Sequence, residues 1–492
     1  MPFRRPVFCV LFASAMWGAF WPGWGWLGWV APALFFLGLK GSGLKRGLLW
    51  GGLFGLLFFL VELSPILALW PFVGGLSLVA WLLSSLYQAL FFALLGGAVG
   101  WGRSPFLWAG AWAMVEAARG VGPLGLSFGS LPAALWGQPF LAAAAWGGAT
   151  LLSLGLAWTG AWLAKGLERP RLLPLALLGP ALLSSLAAFA PQAEPTGDLK
   201  VALVQPNFPQ EEKLNPAKTP QLLSRYEGLL STIEGPVDLV VAPENALPAP
   251  LRTEEGCLAP FLEAAERLSC RVLVGSGELR EEGVYNSALL LSPEGEVQDA
   301  YDMVRLVPFG EYIPGRGLWE ALGLGPLFSR LLPFDLEAGK KARPLGDLGV
   351  MICFESQFAS LSRELVKAGA EVLIALTNDA WFGRTRLLWE HFSLGALRAA
   401  ECGRSFLQAA QTGITGAVGP QGKLLAQLPP WKAGVLTVKV PLFSHETPWV
   451  KMGPWPGLGL AALSFALGLV KRPRHLAGPT RGGRWWLPGP KR

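Results

Sequence analysis

Apolar residues are distributed unevenly along this chain. In windows of about 20 residues, the length that matches a bilayer, apolar segments fall near 7–21, 24–39, 46–64, 74–100, 105–120, 138–165 and 172–192, and one more near 454–470. The block between the last two has ordinary polarity. Within it, short apolar or β-branched runs each end on a polar residue: 201–205 on Gln205, 239–244 on Glu244, 272–278 on Glu278, 350–353 on Cys353 and 372–378 on Asn378. Helix-like stretches such as 256–269 and 357–369 lie between them. Two further runs predict hairpins, 288–306 turning at Pro293-Glu294-Gly295 and 414–428 turning at Pro420-Gln421-Gly422. The pattern predicts one α/β domain with a mixed sheet, whose functional groups gather at the strand ends. The expected organisation is a seven-helix membrane region at 1–192, a polar domain at 193–453, a final membrane helix at 454–471 and a basic tail at 472–492.

Composition agrees with this division. At 52% hydrophobic, 15% charged and a mean hydropathy of +0.41, the chain is too apolar to be soluble throughout. Loop charges set its orientation. Arg4, Arg5, Lys40, Lys45, Arg46, Arg103, Lys165, Arg169, Arg171, Lys471, Arg472 and Arg474 fall on one side of the membrane, and Arg119 alone in the short loops of the other. By the positive-inside rule both termini are cytoplasmic and the polar domain is extracytoplasmic. Arg4 and Arg5 before an apolar run and Ala13-Ser14-Ala15 also fit a signal peptide, which leaves the domain on the same side. The net charge of +7 reads as topology and attraction to anionic lipid headgroups, not nucleic-acid binding. Many of the 23 Trp lie near segment ends, where they anchor at the interface. Glu116 and Arg119, one turn apart, read as a structural pair more than a headgroup site.

The five cysteines, at 9, 257, 270, 353 and 402, do not form a disulfide framework; Cys257 and Cys270 read as two separate buried thiols, with a pair between them outside the cell as the alternative. His391, His445 and His475 have no ligand spacing, so neither a metal nor another cofactor is expected. Two stretches, 309–334 and 381–389, are rich in large apolar groups. They read either as loops packed on the domain's own core or as lids resting on the bilayer and guiding an acyl chain.

Cys353 stands where a strand gives way to a helix near Ser356, whose amino end favours a thiolate. A thiol still needs a partner to take its proton. His391 lies within an apparent helix and His445 beside the last membrane segment, so a carboxylate at a strand end is better placed. Glu244, in Ala242-Pro243-Glu244-Asn245, has the position of a general base in a partly apolar pocket. Taken singly, Cys353 reads as a core thiol and Glu244 as a turn residue. Together with Glu311 and Glu355 they read as a site.

Seven motifs, in order within this membrane frame, resemble the apolipoprotein N-acyltransferase family of the nitrilase superfamily over essentially the whole chain. They are Val204-Gln205-Pro206-Asn207, Pro243-Glu244-Asn245, Tyr285-Asn286-Ser287-Ala288, Leu306-Val307-Pro308-Phe309-Gly310-Glu311-Tyr312, Ile352-Cys353-Phe354-Glu355, Thr377-Asn378-Asp379-Ala380-Trp381-Phe382-Gly383 and Thr412-Gly413-Ile414-Thr415. The resemblance implies about eight transmembrane helices in the cytoplasmic (inner) membrane and a nitrilase-like α-β-β-α sandwich. It implies Glu244 as proton acceptor, Cys353 as nucleophile, Glu311 and Glu355 as further essential acids, and Asn286, Phe309, Asn378, Trp381 and Phe382 around the substrate and lids. The implied reaction moves the sn-1 acyl chain of a phospholipid, through a Cys353 thioester, to the α-amine of a lipoprotein's diacylglyceryl-cysteine.

One departure bears on the chemistry. The family's lysine stands eight residues before the glutamate of Leu-Val-Pro-Phe-Gly-Glu, and here that position is Met303, which carries no charge and donates no hydrogen bond. Arg305, two residues on and therefore expected on the same strand face, is the substitute cation. Leu214 replaces a family tryptophan and Phe354 a tyrosine. Met303 leaves three readings: an active enzyme with a relocated cation, a weakened form, or a pseudoenzyme that binds lipid without turnover. A membrane-tethered amidase of the nitrilase type would use the same thioester.

Overall fold

The computed structural model describes residues 4–254 and 256–470, so the basic tail with Lys471, Arg472, Arg474 and His475 lies outside the described residues. Each of the eight apolar segments forms a helix. Four helical stretches, Leu44–Glu62, Leu76–Trp101, Pro139–Gly166 and Pro170–Ala188, are long and apolar enough to cross a membrane. Helices Arg4–Ala19, Leu27–Leu39, Pro105–Arg119 and Trp455–Leu469 are shorter. Small residues set the packing, as expected where lipid removes the hydrophobic drive between helices. A Cβ on Gly51 would lie 2.4 Å from Phe92 O, and one on Gly96 2.4 Å from Gly47 O, so Leu44–Glu62 and Leu76–Trp101 touch backbone to backbone.

Glu116 and Arg119 do not bond each other. Glu116 accepts from Leu131 N at 2.9 Å and from Ser153 Oγ, while Arg119 donates to Gln88 Oε1 at 2.6 Å and Phe128 O at 2.7 Å. Both are structural, through separate partners.

The polar block has two mixed sheets where the strand pattern predicts one. The strands are β1 Gly197–Gln205, β2 Leu239–Val241, β3 Arg271–Arg280, β4 Gly283–Leu291, β5 Val297–Asp302, β6 Leu348–Ile352, β7 Val372–Thr377, β8 Ser405–Ala410, β9 Gly416–Val418, β10 Leu424–Gln427 and β11 Gly434–Leu442. One sheet runs β11-β1-β2-β3-β4-β5 and the other β10-β9-β8-β7-β6. Strand periodicity marks which faces are apolar but not how strands group, so the division is invisible along the chain.

Both sheets turn one face inward. Val201, Leu203, Leu239, Val241 and Leu273 meet Val350, Ile352, Ile374, Leu376 and Leu407 in a shared core. The intervening residues Ala202, Val204, Val240 and Val272 face outward onto helices Thr219–Ser231 and Ala259–Leu268. Helices Ala359–Lys367 and Leu387–Cys402 cover the second sheet, which completes a four-layer α-β-β-α sandwich. Cys257 and Cys270 are buried, free thiols beneath the first helix layer.

The second helix layer is shared with the apolar region. Trp389 stacks on Trp136 at 5.9 Å, and Arg386 reaches Glu62 as well as Glu390. Helix Ala144–Gly166 breaks at Gly147 and at Gly148, where φ is +66°. A Cβ on Gly148 would meet Trp449 Nε1 at 2.2 Å, and the kink leaves Ala149 N free to bond Glu401 Oε1 at 2.8 Å. Buried polar contacts of this kind fix the register between helices and sandwich.

Candidate active site

The candidate residues stand at the carboxyl ends of strands from both sheets. β2 stops at Val241 because Pro243 has no N–H for a ladder bond, and the chain turns through Asn245 at φ +43°. A Cβ on Gly275 of β3 would come within 2.6 Å of Glu244 Cα, so this turn is pressed onto the sheet. Buried Glu244 accepts from Asn286 Nδ2 through Oε1 and from Asn378 N through Oε2, both at 2.8 Å. Asn286, on β4, also donates to Glu311 Oε1 at 2.9 Å, and Val307 N donates to Glu311 Oε2 at 2.8 Å. Two carboxylates thus share one side-chain amide.

Burial, and then the charge of Glu244, push Glu311 up to about 7. The folded protein keeps this proton to higher pH than the unfolded chain, whose value is 4.5. The stability that it contributes is therefore complete below about 4.5 and lost as pH rises through about 7. Glu311→Gln is expected to flatten the fall in thermal stability, measured in detergent, across that window. Glu355 accounts for the slope that remains, and an unaltered slope would contradict the assignment.

Cys353 follows β6 with φ at +47°, a region that non-glycine residues enter at some cost and chiefly at functional turns. The helix expected after it is a five-residue 3-10 turn, Cys353–Gln357, too short to act as a dipole on the sulfur. The thiol is half-buried, and Thr377 Oγ1, which is 2.9 Å from Asp379 Oδ1, lies 3.3 Å from Sγ. Burial, then the charges of Glu244 and Asp379, hold its pKa well above the ordinary thiol range against Thr377 and the Asn378 amide. The resting sulfur is therefore a protonated thiol, not the thiolate that a helix terminus would favour.

Glu355 is buried and bonded on all sides. It accepts from Ile352 N and Val304 N at 2.8 Å, Arg305 N at 3.1 Å and Tyr301 OH at 3.0 Å. It clamps the Cys353 turn to the segment after β5, and burial pushes it up to about 7.

Met303 follows β5 and is buried with its Sδ 3.6 Å from Asn286 Nδ2, next to Glu244 and Glu311. Arg305 is elsewhere. The strand ends at Asp302, so the two-residue period does not carry through to it. Its guanidinium is exposed, 5.8 Å from the Phe358 ring.

The two apolar stretches differ. Residues 309–334 begin at exposed Phe309, with φ +62°, and include two short helices, Arg316–Ala321 and Gly325–Leu331. Leu318, Leu322 and Phe334 are exposed there. Residues 381–389 instead pack on segments that connect the apolar helices: Trp381 meets Phe72 edge-on at 5.4 Å, and Phe382 lies 6.3 Å from Phe128. From Leu387 the chain is already helix.

Two basic residues at the site, His391 and Lys213, carry no signal along the chain. His391 lies in a helix, yet Leu387–Cys402 presents it to the back of the Cys353 turn. Its Nδ1 is 2.7 Å from Asp379 Oδ1, and its Nε2 is 2.9 Å from Ser356 Oγ and 3.1 Å from Cys353 O. Ser356 Oγ also lies 3.0 Å from that carbonyl, so the ring is held between a carboxylate on one side and a hydroxyl and a carbonyl on the other. Burial alone would lower its pKa, but Asp379 and the Cys353 carbonyl raise it on balance.

Lys213 closes a one-turn helix, Gln210–Lys213. Gln210 and Lys213, three apart, are buried on one face while Glu211 and Glu212 are exposed. Gln210 accepts from Asn378 Nδ2 at 3.0 Å, and Lys213 Nζ donates to Glu244 O at 3.1 Å. Burial lowers the Lys213 pKa to about 8, against the fields of Glu244 and Cys353.

Known proteins place both halves of the chain. The carbon-nitrogen hydrolase family model matches residues 200–446, and the model for the N-terminal domain of apolipoprotein N-acyltransferase matches 12–162. An apolipoprotein N-acyltransferase of Haemophilus ducreyi is 30% identical over 61% of each chain. One from Geobacter metallireducens is 34% identical over 56% of this chain and 55% of its own. The chain thus spans 61% and 55% of these two relatives. One from Shewanella oneidensis is 30% identical over 82% of both. A carbon-nitrogen hydrolase structure from Helicobacter pylori G27 shares 18% identity over 56% of this chain and 99% of its own, at a TM-score of 0.36.

Proposed function

Because this chain belongs to the apolipoprotein N-acyltransferase family, we propose that it moves the sn-1 acyl chain of a phospholipid to the amino-terminal diacylglyceryl-cysteine of a lipoprotein. The observation that carries the reading is the meeting of Glu244 and Cys353 across the two sheets. The Asn378 N–H, which donates to Glu244 Oε2 at 2.8 Å, also faces the sulfur.

The chemistry runs in two halves. In the first, Cys353 Sγ attacks the ester carbonyl, and Glu244 takes the thiol proton. A sulfur–carbon bond forms, the carbon–oxygen bond of the ester breaks, and Glu244 returns the proton to the glycerol oxygen of the departing lysophospholipid. In the second, the α-amine attacks the thioester. Its nitrogen–carbon bond forms, the carbon–sulfur bond breaks, and Glu244 relays the amine proton to the sulfur. Splitting one transfer into two easier ones is what a covalent intermediate achieves. Glu311 sets the environment of Glu244 through Asn286, and Glu355 holds the Cys353 turn. Phe309 and the exposed apolar groups of 309–334 face the acyl chain, while Trp381 and Phe382 tie the site to the helices.

In this reading all eight apolar helices span the cytoplasmic membrane, with both termini cytoplasmic. The domain boundaries are 1–192, 193–453, 454–471 and 472–492, and the sandwich is extracytoplasmic. Incubation with phospholipid, with and without a diacylglyceryl lipopeptide, tests the reaction. Acylated lipopeptide with little free fatty acid is expected when both are present. Equal release of free fatty acid in both mixtures would instead mark an amidase-like hydrolase.

A further inference from the structure

We infer that Lys213 supplies the positive charge that Met303 cannot, stabilising the negative charge that develops at Cys353 during acyl transfer. The inference rests on the proposed function and adds a residue to it.

The acidic groups near the reaction centre are Asp379, which is paired with His391, and Glu244 and Glu311, which are bridged by Asn286 while Met303 stands beside that amide without charge. Among the described residues, three cations come into question. Arg305 is exposed against Phe358. His391 is committed to Asp379 and to the Cys353 carbonyl behind the nucleophile. Lys213 is 3% exposed, and its one hydrogen bond is to the backbone carbonyl of Glu244.

A lysine in such a place is costly, since removing an ammonium from water costs several kcal/mol unless the site compensates. Its neighbours Glu211 and Glu212 remain exposed. The same buried face is held down by Gln210 on Asn378, the residue whose N–H reaches Glu244. An ammonium held there acts through space in a site that excludes water, where charge interacts more strongly than in bulk solvent. It needs no contact with the sulfur and is a positioning and electrostatic residue.

Four proteins test this: the wild type, Lys213→Met, Met303→Lys and the double variant. Each is exposed as the full chain in detergent to vesicles of phosphatidylethanolamine and phosphatidylglycerol, and the rate of acyl adduct formation on Cys353 is read by intact-protein mass. Lys213→Met is expected to slow the wild type by about 10²-fold, the scale of one lost electrostatic contact to a developing oxyanion. In the Met303→Lys background it should cost less than about threefold, because the restored ammonium covers the same charge. Lys213→Gln, which keeps a hydrogen-bond donor but no charge, should behave like Lys213→Met, and Lys213→Arg should keep most of the rate. Equal losses in both backgrounds, or a fully active Lys213→Gln, would overturn the inference and leave Lys213 as a support for the Glu244 turn. An adduct in the wild type that Lys213→Met leaves unchanged overturns the inference alone. No adduct in any of the four overturns the proposed function as well.

Discussion

Cys353→Ala is expected to abolish acyl transfer, by a factor on the order of 10⁶ if the site behaves as other nucleophile–base units do. The turn should survive. Alanine and cysteine meet the same backbone cost at φ +47°, and the clamp made by Glu355 does not involve the sulfur. The neighbouring Thr377 hydroxyl is engaged by Asp379 at 2.9 Å and does not replace the thiol. Turnover of lipopeptide would be measured together with thermal stability. Residual transfer within about tenfold of the wild type, in a folded variant, would remove Cys353 from the mechanism.

Met303→Lys is expected to raise acyl transfer by at least about tenfold. One donor to a developing oxyanion is worth about 10² to 10³ in rate, and Lys213 already covers part of that through its charge. The new ammonium would enter a pocket bounded by Asn286, Glu244 and Glu311. It therefore has carboxylates to pair with, which offsets the cost of burying it. Rates on phospholipid and diacylglyceryl lipopeptide would be compared at fixed lipid concentration. An unchanged rate would mean that the cation missing at Met303 is already fully replaced. A lower rate would mean that the methionine packs something the reaction needs.

Much of the architecture is legible along the chain because it rests on burial patterns. The eight apolar runs become helices, and the strand runs ending on Gln205, Cys353 and Asn378 end in the structure within a residue of those positions. The turns at Pro293-Glu294-Gly295 and Pro420-Gln421-Gly422 join adjacent strands as the hairpin pattern predicts. What stays hidden depends on backbone conformation and on partners distant in sequence. Nothing in Ile352-Cys353-Phe354 announces a positive φ at Cys353. The two-residue period that would put Arg305 beside Met303 fails because β5 ends at Asp302 and the chain bends. His391 reads as a helix residue, which it is, but only tertiary packing shows that the helix faces the Cys353 turn. Lys213, between exposed glutamates and an exposed Leu214, looks like part of a solvated turn until Gln210 is seen bonded to Asn378. The division of the strands into two sheets is hidden for the same reason, since pairing between distant strands leaves no local signature.

In the proposed reaction the sulfur of Cys353 carries the fatty chain. Intact-protein mass spectrometry of the wild type after exposure to phospholipid, with no amine acceptor present, tests it most directly. The expected result is a mass increase of one fatty acyl group, located on Cys353 by peptide mapping, labile to hydroxylamine and discharged when diacylglyceryl lipopeptide is added. Transfer to the lipopeptide without any such adduct, or an adduct that persists in Cys353→Ala, would contradict it.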